Sequence, residues 1–155
     1  MLHPLPVDGQ AYRDAMARFA GQVHLITSDG PAGRRGTTVI AACSVSDDPP
    51  TVLVCLNRHN PNNGTIFENG VFALNTLAKP HQALSQAFAG LGGMNQDERF
   101  SLGEWTTLST GSPVLKGAMA VFDCIVEDAR DTRGLWKVMT ALATKETRKR
   151  YASEN

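Results

Sequence analysis

No stretch of this sequence approaches the roughly 18 consecutive apolar residues that a membrane-spanning helix requires, so no membrane partner is expected. Neither sign of charge is in excess. Lys+Arg and Asp+Glu each number 15, giving a formal net charge of zero. Proteins that bind nucleic acid usually carry a basic excess or stripe, and the only dense basic run here is Arg148-Lys149-Arg150 near the end. No nucleic-acid partner is expected either. The opening residues, MLHPLPVDGQ, lack both the charged and the apolar segments of a secretory signal, which points to a cytoplasmic location.

Cysteine is scarce as well. Cys43, Cys55 and Cys124 are odd in number, show no Cys-x-x-Cys spacing and each sit in an apolar run, so they read as buried, inert thiols. The four histidines have no i, i+4 spacing, and no zinc site is expected. There is no glycine-rich strand-to-helix turn of the Rossmann or P-loop kind, and no Gly-x-Ser-x-Gly elbow. The glycines from Gly30 to Gly36 lie between strands and read as a hairpin loop.

What remains is ordinary globular material. With 155 residues, 42% hydrophobic and 19% charged, the chain fits one domain over 1–155 with a real core. Asp8 is placed to cap a helix over Gln10–Ala20 whose Tyr12, Met16 and Phe19 share a face. Strands are then expected at Val23–Thr27, Thr37–Ser44, Thr51–Leu56 and Val71–Thr76, with a break at Asp47-Asp48-Pro49-Pro50. A polar loop covers Asn57–Gly64, and a brief helix holds Ile66 and Phe67. Pro80 suits the first turn of a helix over His81–Ala89. A short helix at Gln96–Phe100, a short strand at Trp105–Leu108 and a long strand at Ala118–Val126 follow. Many short strands with few helices suggest a small decorated β-barrel, and the pattern alone is equally compatible with an open antiparallel sheet.

GRRGTTVIAACSVSDDPPTVLVCLNR (Gly33 to Arg58), FENGVFALNTLAKPHQALSQAFAG (Phe67 to Gly90), DERF (Asp97 to Phe100) and GSPVLKGAMAVFDC (Gly111 to Cys124) resemble, in the same order, the short-chain flavin reductases. The resemblance runs from about Ala11 to Val126. It implies a mainly β fold with flanking helices, the FMN-binding split β-barrel of Greek-key type. It also implies an NAD(P)H-dependent oxidoreductase that binds FMN (or FAD), takes hydride from NADH or NADPH, and passes electrons to free flavin for a partner oxygenase component. Similar patterns occur in the reductase of 4-hydroxyphenylacetate 3-monooxygenase, in the pyrimidine-utilisation flavin reductase, and in the corrinoid reductase, whose substrate is a cob(II)yrinic corrin. A flavin-binding module without turnover, and an interaction domain that kept only the fold, are the alternatives from other classes.

A flavin presents a flat apolar ring with polar edges and a phosphate tail. The ring needs small residues on a strand so that backbone N–H groups can approach it. Thr37, Thr38, Ala41, Ala42, Cys43, Ser44, Val45 and Ser46 supply such a strand, and the family lays its ring along the matching segment. The same small residues would also suit packing under a helix. By the resemblance, Ser44, Ser46, Asn57 and Arg58 face the phosphate, while Asn75, Thr76 and Leu77, with Phe88 and Gly90, form the remaining contacts. The family also implies a homodimer. The faces of Tyr12, Met16 and Phe19 and of Ala118–Val126 read as core within one subunit, with coverage of a dimer surface as their other use.

Residues 131–155 depart from the family. Arg133 stands where a histidine is expected, and an arginine cannot titrate near neutral pH. Lys149-Arg150-Tyr151 matches part of a terminal motif, but the apolar strand expected before it reads as missing.

Overall fold

A computed structural model describes residues 7–57, 60–132, 136–144 and 148–149, with 136–139 and 148–149 described by their backbone alone. The described strands are β1 His24–Ser28, β2 Arg35–Val39, β3 Ala42–Asp47, β4 Pro50–Asn57, β5 Val71–Thr76, β6 Trp105–Thr107, β7 Pro113–Leu115, β8 Ala120–Asp131, β9 Trp136–Ala143 and β10 Arg148–Lys149. The α-helices are α1 Gly9–Met16, α2 Gly64–Asn69, α3 Gln82–Phe88 and α4 Gln96–Phe100. None of the described helices is long and apolar enough to cross a membrane.

Seven strands form one antiparallel path in the order β2-β1-β5-β8-β9-β4-β3, and β10 pairs with the start of β8. Strands β6 and β7 pair separately. The long sheet is curled. Val39 from one end of the path and Val52 and Val54 from near the other pack into one cluster with Ile26, Phe72 and Leu74. Its two end strands, β2 and β3, are consecutive in the chain and share no ladder. The result is the expected mainly β fold, a split barrel joined across its seam by the chain itself.

The seam corrects one expectation. The sequence reads Thr37–Ser44 as a single strand, but the chain bends at Ile40-Ala41. Val39 belongs to the β1 side, whereas Ala42 pairs with Val54 on the far side of the sheet. The bend is held by Ala42 N–H donating to the Ile40 carbonyl at 2.9 Å and by Cys55 N–H donating to the Ala41 carbonyl at 2.9 Å.

Strands β1 and β5 are buried on both faces. Outside them a second cluster gathers Leu25, Ala73, Leu84, Phe88, Phe100 and Val121 under α3, α4 and the β6–β7 pair. Phe88 meets Phe100 edge-on at 5.0 Å between ring centroids, and Trp105 lies 4.9 Å from Phe100. Apolar runs without alternation, such as Val71–Leu74, are what such doubly covered strands require.

Helix α1 starts as expected, with Asp8 Oδ2 accepting from Ala11 N–H at 3.1 Å. It stops at Met16, short of Ala20. No residue of α1 is buried, and Tyr12, Met16 and Phe19 stand 59%, 45% and 74% exposed. That face is therefore not core within this chain. Strand β8, in contrast, does bury Val121 and Cys124, and it runs on to Asp131 because β9 pairs alongside it.

The apparently missing strand is also corrected. Strand β9 lies between β8 and β4, and β10 pairs with β8 at Ala120 and Val121. The sheet thus joins β8 to β4 through this chain's own residues. The identities around Trp136–Ala143 are apolar enough for this, but they precede the polar tail in which the family pattern would set the strand.

Candidate functional site

A cavity of about 460 Å³ opens at the seam, within the range of small-ligand sites. Strand β3 forms one wall through Ala42, Cys43, Ser44 and Ser46. His24, Leu74 and Phe122 close it from β1, β5 and β8. The walls are mostly apolar, with hydroxyls concentrated on the β3 side.

Strand β3 is the end of the sheet path, so it pairs with β4 alone: Ala42 with Val54, Cys43 with Leu53, Ser44 with Val52. Its other edge has no ladder partner among the described residues. An edge strand offers a row of backbone donors and acceptors. Here small side chains leave that row open to a flat ligand. The register shifts between Ser44 and Ser46, which turns the strand at the cavity wall. Ser46 Oγ accepts from Asp48 N–H at 3.2 Å, tying the β3–β4 turn back onto the strand.

The thiols are not uniformly buried as expected. Cys124 is, and burial together with the Asp123 carboxylate pushes its thiol up to about 12. Cys43 is exposed at the cavity, because an edge strand has no neighbour to cover it. Cys55 is half-buried, and burial followed by the nearby Cys43 raises its pKa.

His24 is the titratable group at the opposite wall. Its Nδ1 lies 3.2 Å from Thr76 Oγ1, and burial pushes its pKa below the ordinary histidine value. This brings Thr76 to the back of the site. Its neighbours in sequence are employed differently. Asn75 is fully buried, with Nδ2 donating to the Leu25 carbonyl and Thr27 Oγ1 while Oδ1 accepts from Leu115 N–H at 2.8 Å. Its side chain fastens β5 to β1 and β7, and cannot face a ligand.

Leu77 is buried on the second cluster, where it lines a separate hollow of about 310 Å³ with Lys79, Gln82 and Ser85. Thr38 Oγ1 donates to the Ser85 carbonyl at 2.6 Å, and Thr37 is half-buried beside it. Phe88 is 2% exposed, so its ring belongs to the core and not to a contact surface. Gly90 has φ +96° and turns the chain after α3.

Ala41 and Val45 are exposed around the β3 wall, and Asn57 is exposed where β4 ends. Arg58, Arg133, Arg150 and Tyr151 lie outside the described residues.

The match to the flavin reductase-like domain covers residues 16–146. The chain belongs to this family. It is 48% identical over 128 residues to an FMN reductase (NADH) RutF 2 of Methylorubrum extorquens, covering 83% of this chain and 73% of that one. It spans 58–66% of the length of several other curated relatives it matches, which carry the name FMN reductase (NADH) RutF. Among solved structures, a Haemophilus somnus protein assigned as a flavin reductase superposes with a TM-score of 0.88 at 37% identity, covering 94% and 91% of the two chains. BorF, the flavin reductase component of a bacterial two-component tryptophan halogenase, superposes with a TM-score of 0.82 at 26% identity, covering 93% and 89%.

Within this flavin reductase-like chain, the seam brings together Ala42, Cys43, Ser44 and Ser46, with Thr76 behind His24. It does not bring in the side chains of Asn75 or Phe88. His24, Leu74 and Phe122 are cavity residues that the sequence did not mark as contacts, although Leu74 and Phe122 lie within family-like stretches. Each sits on a different strand, and only the register across β1, β5 and β8 makes them converge.

Proposed function

We propose that this protein is an NADH-dependent FMN reductase whose flavin ring lies along Ala42–Ser46 at the seam cavity. The observation that carries this reading is the coincidence of the small-residue edge strand with an apolar cavity of about 460 Å³. When bound, the flavin supplies the hydride-accepting and electron-passing chemistry. The chain's own part is to bind and orient. The β3 backbone edge and the hydroxyls of Ser44 and Ser46 would hold the polar part of the flavin, and Leu74 and Phe122 would keep water from its apolar ring. No proton donor is required for hydride transfer itself, so His24 positions Thr76 and the back wall and need not be a catalytic residue.

The same reading makes reduced free flavin the product, delivered to a separate oxygenase-type component, as the relationship to BorF supports. A cytoplasmic setting suits an NADH-consuming protein with an exposed thiol at its site. A symmetric homodimer is part of the proposal. Ile40, at the chain bend, and Val45, on β3, are apolar side chains 61% and 54% exposed that a second copy would cover.

The test is anaerobic mixing of the protein with NADH and, in separate runs, FMN, FAD, riboflavin and a cob(II)yrinic corrin. Bleaching of FMN at the expense of NADH is expected. No flavin reduced by NADH would refute the reading, and reduction of the corrin alone would replace it. Light scattering over a dilution series tests the dimer, and a monomer at every concentration would remove it.

A further inference from the structure

At the start of β2, Arg34, Arg35 and Arg99 share one polar hollow of about 380 Å³ with no carboxylate among its lining residues. Arg34 has its own counter-charge, since it pairs with Asp97 at 3.0 Å. Among the described residues the other two have none. Arg35 is only 7% exposed, and its Nε is buried without a hydrogen-bond partner. Arg99, on α4, is half-buried, and its Nε is likewise buried without one. The two charges repel, and burial followed by this repulsion lowers the pKa of Arg35.

The local acids are engaged elsewhere. Asp97 stands 90% exposed in its pair with Arg34. Glu98 Oε2 accepts from Asn95 N–H at 2.8 Å, closing the start of α4. The juxtaposition is nonetheless built firmly. Gln96 accepts from Gly36 N–H at 2.9 Å and donates back to the Gly36 carbonyl at 3.3 Å, which clamps α4 against β2 beside Arg35. Arg34 lies over the Phe100 ring at 4.6 Å and anchors the same helix.

Holding two guanidinium groups together, one of them buried, without a counter-charge is costly. A fold that fixes them in a cavity roomy enough for a ligand places the missing negative charge on that ligand. We propose that Arg35 and Arg99 form an anion site for a phosphate or pyrophosphate group, with Asn62 and Thr65 as further polar wall. Planar guanidinium forks match phosphate oxygens in pairs, which favours phosphate over a halide. This hollow and the seam cavity share no lining residue, so the site is distinct from the ring wall at Ala42–Ser46. The phosphate can be free, or it can be the tail of a nucleotide whose other end reaches the seam.

Inorganic pyrophosphate is the probe, followed by calorimetric titration and by thermal shift in phosphate-free buffer. Saturable binding that weakens with salt is expected, together with a raised Tm. Arg99→Met, at a half-exposed position, should weaken binding at least about tenfold, the loss of one charge-assisted contact. Arg35→Met should do the same and should no longer gain Tm from pyrophosphate. No binding at about 10 mM, or equal binding by wild type and Arg99→Met, would overturn the site even if Arg35→Met does not fold.

Competition identifies the source. Displacement by FMN but not riboflavin assigns the flavin tail, displacement by NADH assigns the dinucleotide, and displacement by neither leaves a site for free anion. Because the readout is binding and not turnover, absence of pyrophosphate binding by wild-type protein that still reduces FMN with NADH refutes this site alone and leaves the reductase reading standing.

Discussion

Gly36 lies flat against the ring of Phe88: a Cβ built at Gly36 would stand 2.4 Å from Phe88 Cε1 and 2.7 Å from Cδ1. The ring has nowhere to retreat, since Phe100 and Trp105 hold it from two other sides at centroid distances of 5.0 and 6.1 Å. In the sequence Gly36 is one of several glycines in an apparent loop. In the fold it is the point where β2 and α3 come close enough to seal the second core cluster.

Replacing Gly36 by alanine should therefore destabilise the protein by about 1–3 kcal/mol through overpacking. For a chain of this length that corresponds to a fall in Tm of roughly 2–4 °C per kcal/mol. Thermal denaturation followed by circular dichroism measures it. An unchanged Tm would mean that Phe88 is free to move aside, contrary to its burial.

Ala42→Leu should fill the seam cavity from the β3 wall and reduce FMN affinity at least about tenfold while leaving the fold intact. Titration of FMN fluorescence against protein gives the affinity, and the thermal melt checks the fold. Unchanged affinity would take this strand out of the ring site.

The three thiols should react at clearly different rates in the native protein. Exposed Cys43 should be alkylated first at pH 8. Cys55 should follow slowly because burial and its neighbour raise its pKa, and Cys124, pushed up to about 12, should react only on unfolding. Mass spectrometry of timed iodoacetamide reactions resolves them. Bound FMN should slow Cys43 selectively, and no protection would separate Cys43 from the flavin.

His24 should make stability fall on mild acidification. Its folded pKa lies below the ordinary 6.5 because burial disfavours the charged ring. Between that lowered value and about 6.5 the unfolded chain binds more protons than the native one, so unfolding is favoured as pH drops through this window. The contribution is fully present above about pH 6.5 and is lost below it. Comparing Tm at pH 7.5 and 5.5 for wild type and His24→Gln isolates it. An identical pH slope in both would show that His24 charges freely in the fold.

Half of the seam site is legible in the sequence. The small residues of Ala42–Ser46 carry a local signature, and the fold sets them on the cavity wall. His24 and Phe122 carry none, because a lone histidine and a phenylalanine on separate strands look like ordinary core. Arg35 and Arg99 are 64 residues apart in the sequence and meet only because Gln96 docks α4 on β2. Asn75 and Phe88 mislead in the opposite sense: their place in family-like segments suggests contact, and burial assigns them to the interior.

The type and bounds of several elements are written in the sequence itself. Strand β5 and helix α4 fall on the expected residues, as do the Asp8 cap and the β3–β4 break, because each depends on neighbours a few positions away. Tertiary structure alone decided that Thr37–Ser44 splits at Ile40-Ala41, that β9 fills the gap between β8 and β4, and that α1 leaves its apolar face uncovered. Strand pairing and burial are set by partners far along the chain, and a residue's neighbours in sequence carry no record of them. The seam cavity is made by that split, so only the folded sheet could place it.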